Sequence, residues 1–194
     1  SPKFDLVALY HGLQLQLVVY LNGALEAEAV RHPGKEIVPA GSFYYNVKDP
    51  MLRERIDGDL QAVEQSMARE LKMNGLVQSE DNTAFLIDST LETIPVSVKK
   101  DGTFGSGSQI ADREQFRLLS AYVRKKIADS RQEILEGNAE VSPYRREAEQ
   151  ACTYCLYGSV CGFDRKIPGY EFRSLDSFRK REEQIWENMR KETP

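Results

Sequence analysis

The sequence predicts an α/β fold, because helical and extended hydrophobic patterns alternate along the chain. Residues 57–75 carry apolar side chains at helical spacing, with Gly75 as the expected C-terminal cap. Ile37–Val47 is rich in aromatic and β-branched residues and predicts a buried strand. Ile94–Phe104 predicts a hairpin. This mixture of helices with a few short strands is typical of an α/β domain.

Three further helices are predicted from periodicity and capping signals. The first runs from Asp5 to about Val30. Another opens at Asp112, where Gln115 completes a capping box, and ends at Gly137. Its apolar stripe consists of Phe116, Leu119, Val123, Ile127 and Ile134. A charged helix from Leu175 to about Lys191 closes the chain.

Composition indicates a soluble globular protein, and the odd, clustered set of three cysteines indicates the reducing cytoplasm. The chain has 194 residues, of which 41% are hydrophobic and 29% charged, with a net charge of −4. We expect no membrane span, because no apolar run approaches the roughly 20 residues that a span needs. We expect no signal peptide, because the N-terminus has no charged region followed by an apolar one. The acidic balance does not mark a nucleic-acid-binding protein, but a DNA channel needs only a local basic lining. The start at Ser1-Pro2-Lys3, without Met, predicts a piece of a longer polypeptide.

The most apolar part of the first predicted helix, Leu13–Leu21, contains two glutamines, Gln14 and Gln16. We expect this part to be buried on most sides. A buried amide without a partner costs about 1–3 kcal/mol, so each glutamine needs one. Gln16 and Tyr20 are four residues apart and share a helix face. On spacing alone, mutual or backbone hydrogen bonding is the favoured interpretation, ahead of a functional role.

Three cysteines, Cys152, Cys155 and Cys161, form a C-x2-C-x5-C pattern. Such clustered thiols favour zinc or an iron–sulfur cluster in a reducing compartment over a disulfide framework. A complete site usually takes four ligands, yet the chain has no fourth cysteine, and its histidines, His11 and His32, lie far upstream. Three unligated thiols are the alternative.

The glutamine helix and the cysteine pattern, in this order, resemble the RecB-type branch of the PD-(D/E)XK nucleases, and more narrowly the C-terminal end of the B subunits of AddAB-type helicase–nucleases. The resemblance spans Leu6 to about Arg173. The matching segments are Tyr10–Leu21, Pro39–Tyr45, the cysteine pattern and Gly162-Phe163-Asp164. The implied fold is a partial restriction-endonuclease-like core with helical insertions and a C-terminal iron–sulfur loop.

The resemblance also implies roles for the singled-out residues. Gln16 and Tyr20 match the Q-x-x-x-Y motif, an auxiliary part of the nuclease site. Cys152, Cys155 and Cys161 match three of the four ligands of a [4Fe-4S] cluster. The family's fourth cysteine, its Mg²⁺-binding acids and its Asp-x-Lys motif lie upstream of Ser1. We therefore expect the cluster to be absent from this chain as purified.

The implied parent protein is an ATP-dependent deoxyribonuclease that processes double-strand breaks for recombinational repair. Its expected partners are DNA and the AddA helicase–nuclease subunit. This chain alone is expected to be inactive, because Gln16 and Tyr20 cannot replace carboxylates that hold Mg²⁺. Lys3 and Asp5 are expected to be surface residues, and His11 to serve helix packing.

Four segments are expected: residues 1–56 as the second half of the nuclease core, 57–111 as a helix-plus-hairpin insertion, 112–150 as a long helix and linker, and 151–194 as the cysteine-rich loop and last helix. Because strands that should flank Ile37–Val47 are missing, we expect an open sheet edge and self-association. Two alternative functions remain, a CRISPR-associated RecB-like exonuclease and a non-catalytic zinc or DNA-binding module.

Overall fold

The computed structural model describes residues 3–47, 60–179 and 181–193, and its mixed helices and small sheets confirm the α/β prediction. The helices are α1 (Leu6–Tyr10), α2 (Gln16–Arg31), α3 (Leu60–Glu70), α4 (Thr83–Ile87), α5 (Arg113–Leu135), α6 (Gly158–Cys161) and α7 (Glu182–Glu192), with a 3-10 helix at Ala151–Tyr154. The strands are β1 (Gly41–Tyr44), β2 (Asn74–Gln78), β3 (Ile110–Ala111), β4 (Tyr144–Arg146), β5 (Glu149–Gln150) and β6 (Arg173–Ser174).

The predicted first helix is in fact two helices, α1 and α2, separated by a turn at Gly12. Gly12 has a φ of 81°, in the left-handed region that favours glycine. Its N–H donates to the carbonyl of Leu9, and the Leu13 N–H donates to the carbonyl of Ala8. This pair of bonds is the Schellman arrangement that ends a helix. The single-helix prediction was wrong because apolar residues on both sides of Gly12 obscured the stop.

The expectation that Leu13–Leu21 is buried on most sides was also wrong. Val18 is only 2% exposed, but Val19 is 38% exposed and Tyr20 is 64% exposed. Gln16 is also exposed, at the first position of α2. Helix α2 packs against α5 and β1. One of its faces therefore remains accessible.

The predicted strand over Ile37–Val47 is reduced to β1, four residues that are all half-buried. The first sheet has the order β1-β2-β3, so β1 is at its edge. β2 pairs antiparallel with β1 and parallel with β3. The central strand, β2, was not predicted, because its polar ends Asn74 and Gln78 hide a short apolar middle.

Gly75 lies in β2 opposite Phe43 and is not a helix cap. A Cβ at Gly75 would lie 2.0 Å from the Ser42 carbonyl oxygen, so close approach of the two strands requires glycine there. The helix predicted over residues 57–75 ends at Glu70, and its first three positions, 57–59, lie outside the described residues. The backbone at Gly75 does require glycine, but the reason is the packing of β2 against β1 and not the end of a helix.

The predicted hairpin over Ile94–Phe104 is limited to one antiparallel bridge between Val98 and Phe104. Its turn is closed by the Gly102 N–H, which donates to the Lys99 carbonyl. Ile94 and Val96 are buried and belong to a small core beneath the first sheet. Backbone hydrogen bonds across the turn, from the Lys99 N–H to the Thr103 carbonyl and from the Gly105 N–H to the Ser97 carbonyl, hold this segment together with its packing against that sheet.

Helix α5 confirms the predicted capping box. The Asp112 carboxylate accepts from the Gln115 N–H at 2.7 Å, and the Gln115 side chain accepts from the Asp112 N–H at 2.9 Å. The predicted stripe is buried only in its first half, since Ile127 is 44% exposed and Ile134 is 76% exposed. The main core joins α1, α2, α5 and α7 through the buried residues Leu9, Val18, Phe116, Leu119, Tyr122, Val123, Ile185, Trp186 and Met189.

The last helix begins at Glu182, seven residues after the predicted start at Leu175. The intervening chain is fixed in another way. The Leu175 N–H donates to the Arg145 carbonyl, and the Asp176 carboxylate accepts from the Phe178 N–H and from the Arg181 side chain. The first of these bonds extends the second sheet, whose strand order is β5-β4-β6, and the Asp176 bonds fix the turn that precedes α7. Among the described residues, no helix has both the length and the apolar character needed to cross a membrane.

Candidate nuclease auxiliary site and cysteine loop

Gln16 and Tyr20 lie together on the accessible face of α2. The Gln16 amide nitrogen donates to the Tyr20 hydroxyl oxygen at 2.7 Å, as their four-residue spacing predicts. Because both side chains are exposed, no burial penalty requires this bond. The bond holds an amide carbonyl and a phenol hydroxyl ready to contact an external group.

Helix α2 is attached to α5 on its opposite side. Asn22 is 7% exposed and donates to the Ser120 carbonyl at 3.5 Å, while Arg124 of α5 binds Glu26 at 2.7 Å. Sequence analysis missed Asn22. The available signal was a polar residue among apolar positions of a helix, which predicts a buried hydrogen bond.

Helix α1, which leads into the site, is anchored by a hydrogen-bonded group at the end of the chain. Tyr10 donates to Glu192 at 2.6 Å, and Tyr122 donates to the Tyr10 carbonyl at 2.7 Å. Burial and the neighbouring Glu192 carboxylate raise the pKa of Tyr10 to about 12. Burial raises the pKa of Tyr122 as well. Burial raises the pKa of Glu192, but hydrogen bonds from Tyr10 and the nearby Lys126 ammonium outweigh it, so the net pKa lies below its usual value.

His11 serves packing, as predicted. Its Nε2 lies 2.8 Å from the Asp176 carbonyl, and its ring contacts Tyr10 and Phe178. Burial lowers the pKa of His11, which favours the neutral ring. Asp5 is not the simple surface residue that was expected, since it caps α1 by accepting from the Ala8 N–H and pairs with Arg146 at 2.7 Å. Lys3 is exposed, as expected.

The three cysteines are free thiols on the protein surface. They line one open cavity of about 370 Å³, together with Phe163 and Phe172. No three histidine, cysteine, aspartate or glutamate side chains converge on a single metal ion within the described ranges. The two observations are compatible, because residues lining one cavity can be too far apart for one ion. The donor type suits an iron–sulfur cluster, which spreads its thiolates more widely than a single ion does.

Comparison with known proteins decides the family. The profile described as "PD-(D/E)XK nuclease superfamily" matches residues 1–162.

The chain belongs to the PD-(D/E)XK nuclease superfamily.

Its curated relatives are bacterial proteins named as the B subunits of ATP-dependent helicase/deoxyribonucleases. The one from Lachnoclostridium phytofermentans is 40% identical over 99% of this chain, and the one from Clostridium kluyveri is 38% identical over 97%. The relative from a Thermoanaerobacter species is 33% identical over 99% of this chain. In each case the chain spans 17% of the relative's length.

Proposed function

We propose that this chain forms part of the DNA exonuclease subunit of an ATP-dependent helicase–nuclease that processes double-strand breaks for recombinational repair. The observation that carries the proposal is the exposed, hydrogen-bonded Gln16–Tyr20 pair on α2, whose opposite side packs against α5. The printed names of the relatives, which specify helicase and deoxyribonuclease activity, support it.

The role proposed for Gln16 and Tyr20 is to orient the DNA strand or the catalytic strand of the nuclease. An amide and a phenol can hydrogen-bond phosphate or backbone groups but carry no charge for Mg²⁺. Carboxylates that hold Mg²⁺ supply the activated water and stabilise the leaving oxygen. We propose that these carboxylates and the catalytic lysine come from outside this chain, and that the chain alone is inactive.

For the cysteine loop we propose a structural [4Fe-4S] cluster in the longer protein. Cys152, Cys155 and Cys161 would supply three thiolates, and a fourth ligand would come from outside the 194 residues. Bound there, the cluster would cross-link a loop whose side chains Tyr154 and Leu156 are 92% and 93% exposed. Because these apolar side chains are exposed, they contribute little to holding the loop in place, which supports the proposal that a cross-link does so.

The proposed partners are DNA, through the longer protein, and the AddA helicase–nuclease subunit, in the bacterial cytoplasm. In isolation the chain is proposed to self-associate. The sheet edge at β1 and the exposed side chains Val19, Val47 and Leu60 support this proposal. Light scattering at several concentrations tests it, and a concentration-independent monomer mass would contradict it.

The proposed nuclease role is tested in the longer subunit with Gln16→Ala and Tyr20→Phe. Each should reduce Mg²⁺-dependent cleavage of linear DNA by about 10- to 100-fold, as expected when a positioning contact is lost, with an unchanged melting temperature. The matched control is Gln132→Ala, because Gln132 forms the same kind of exposed hydrogen bond across one helical turn, to Glu136 at 2.7 Å. Equal activity in all three variants and the wild type would contradict the proposed role.

A further inference from the structure

A second cavity, of about 350 Å³, opens beside the cysteine loop. Its walls include Arg145, Arg165, Tyr170, Glu171 and Phe172. Arg145 is in β4, where its register opposite Ser174 of β6 fixes the backbone. The cavity therefore brings two arginines from separate parts of the chain to the same aromatic wall.

The two arginines have no acidic partner among the ion pairs of the described ranges, whereas the neighbouring Arg146 and Arg179 are paired with acids. Both Arg145 and Arg165 are exposed. Their guanidinium carbons lie 5.8 Å and 6.0 Å from the centre of the Phe172 ring. Glu171 is the acid that lines the same cavity, so the local charge remains positive.

Two aromatic rings line this cavity, Phe172 and Tyr170, and both pack against Phe163. Phe172 packs against Phe163 with ring centres 4.9 Å apart, and Phe163 packs against Tyr170 at 5.6 Å. Phe172 and Tyr170 are half-buried, so each ring is fixed on one side. Two guanidinium groups over a fixed ring can bind phosphates and also present a planar surface on which an unpaired base stacks.

We propose that this cavity is a binding site for single-stranded DNA, in which Arg145 and Arg165 contact consecutive phosphates and a base stacks on the surface that these arginines form with Phe172. A duplex is disfavoured as the occupant, because its stacked bases cannot reach a ring within a cavity. A protein partner would instead have to supply an acidic side chain for each arginine. The inference rests on the proposed DNA-processing function and assigns a strand-binding site to residues outside the Gln16–Tyr20 pair.

The cavity and the cysteine cavity share a wall, because Arg165 and Phe172 line both. A strand bound there would pass directly beside the cysteine loop.

The proposal is tested by fluorescence anisotropy of the 194-residue chain with a labelled oligothymidylate over a range of salt concentrations. Each phosphate contact contributes about 0.7 to the slope of log K against log salt for a single strand. The double variant Arg145→Gln/Arg165→Gln should therefore reduce that slope by about 1.4. Phe172→Leu should weaken binding by about 5- to 100-fold through lost stacking, and Phe172→Tyr should restore it.

The matched control is Arg31→Gln/Arg117→Gln, which removes the same charge from exposed arginines that are already paired with Glu28 and Glu36. This control should leave the slope within experimental error of the wild type. An equal reduction of the salt slope in both double variants would overturn the proposal. Inorganic phosphate that displaced the labelled strand as effectively as unlabelled oligonucleotide would also overturn it. Unchanged DNA binding combined with weakened association with a partner protein would also overturn it, in favour of a protein interface.

Cleavage by the longer wild-type subunit is measured in parallel. If the longer wild-type subunit cleaves DNA but the Arg145/Arg165 and Phe172 variants bind the single strand like the wild type, only the strand-binding proposal is contradicted. No cleavage by the wild-type subunit, with the slope change present, would contradict the proposed nuclease function and leave the strand-binding site supported.

Discussion

The helical core and the cysteine loop differ in what holds them together. We define the helical core as Leu9, Phe116, Tyr122, Ile185 and Met189, each at most 1% exposed. The cysteine loop, Ala151–Asp164, instead has 83% of Val160 and 72% of Tyr157 exposed. Side chains of this chain bury the core completely, whereas most apolar side chains of the loop are exposed and Phe163 is half-buried.

This difference separates two ways of supporting a functional residue. Gln16 and Tyr20 are held by a helix packed on the core, so their position depends on burial of apolar surface. The three thiols are held by a loop that buries little such surface, so their position depends on a cross-link or on contacts from outside the chain. Mutations should therefore affect stability strongly in the core and weakly in the loop.

The largest effect should follow removal of a core side chain. Phe116→Ala should reduce the free energy of unfolding by about 3–5 kcal/mol, because it removes buried apolar surface and leaves a cavity. Urea denaturation followed by circular dichroism measures the change. Leu156→Ala in the cysteine loop is the comparison, with an expected change within about 0.5 kcal/mol.

Equal losses in Phe116→Ala and Leu156→Ala would show that the loop is packed as tightly as the core. The structural contrast between the two regions would then be wrong.

A smaller effect should follow loss of the charge at Glu192. Glu192→Gln should reduce stability at neutral pH by about 1–2 kcal/mol, because hydrogen bonds to a charged acceptor are stronger than those to a neutral one. The pKa of Glu192 is lowered in the folded chain, so its contribution is present above the unfolded pKa and is lost as pH falls through the folded value. The wild type should therefore lose more stability than the variant on acidification below about pH 4.5.

Urea midpoints of both proteins at several pH values measure this difference. The other acids with lowered pKa values, such as Asp176 and Glu147, titrate equally in both proteins and cancel in the comparison. A constant difference between wild type and Glu192→Gln across the acid range would contradict the proposed link between Tyr10, Tyr122 and Glu192.

Local chemistry in the sequence was sufficient to predict the start of α5. Asp112 and Gln115 satisfy each other's backbone groups, and that depends only on residues three positions apart. The extent of the buried stripe was not predictable in the same way. Ile127 and Ile134 have helical spacing, but the core with α7 ends before it reaches them.

Glycine and polar residues caused the main errors. Gly75 follows a helical pattern, yet its position is set by close approach of Ser42 on another strand. Gln78 was not assigned to any helix or strand, but it is 1% exposed and its side-chain oxygen accepts from the Thr83 hydroxyl and from the Glu80 N–H. Both outcomes depend on tertiary contacts that a local pattern does not contain.

The candidate sites show the same division. The Gln16–Tyr20 bond was predictable, because one helical turn separates the two residues. The pocket of Arg145, Arg165 and Phe172 was not, because the second sheet and the loop bring these residues together. The roles proposed for both sites stay predictions.

The smallest effect should come from the cysteine loop itself. We expect the 194-residue chain, purified in air, to contain no stoichiometric iron or sulfide, because three thiolates leave one iron of a [4Fe-4S] cluster without a protein ligand. Without the cross-link, Cys155→Ser should change the free energy of unfolding by less than about 0.5 kcal/mol, since Cys155 is exposed and unpaired. Iron, sulfide and zinc analysis with an absorbance scan, on both proteins, measures the first expectation, and urea denaturation measures the second. About four irons and four sulfides per wild-type chain, lost in Cys155→Ser together with stability, would show that another group completes the cluster and that the loop is as firmly held as the core. Zinc alone, lost in the same variant, would favour a zinc module over the iron–sulfur proposal.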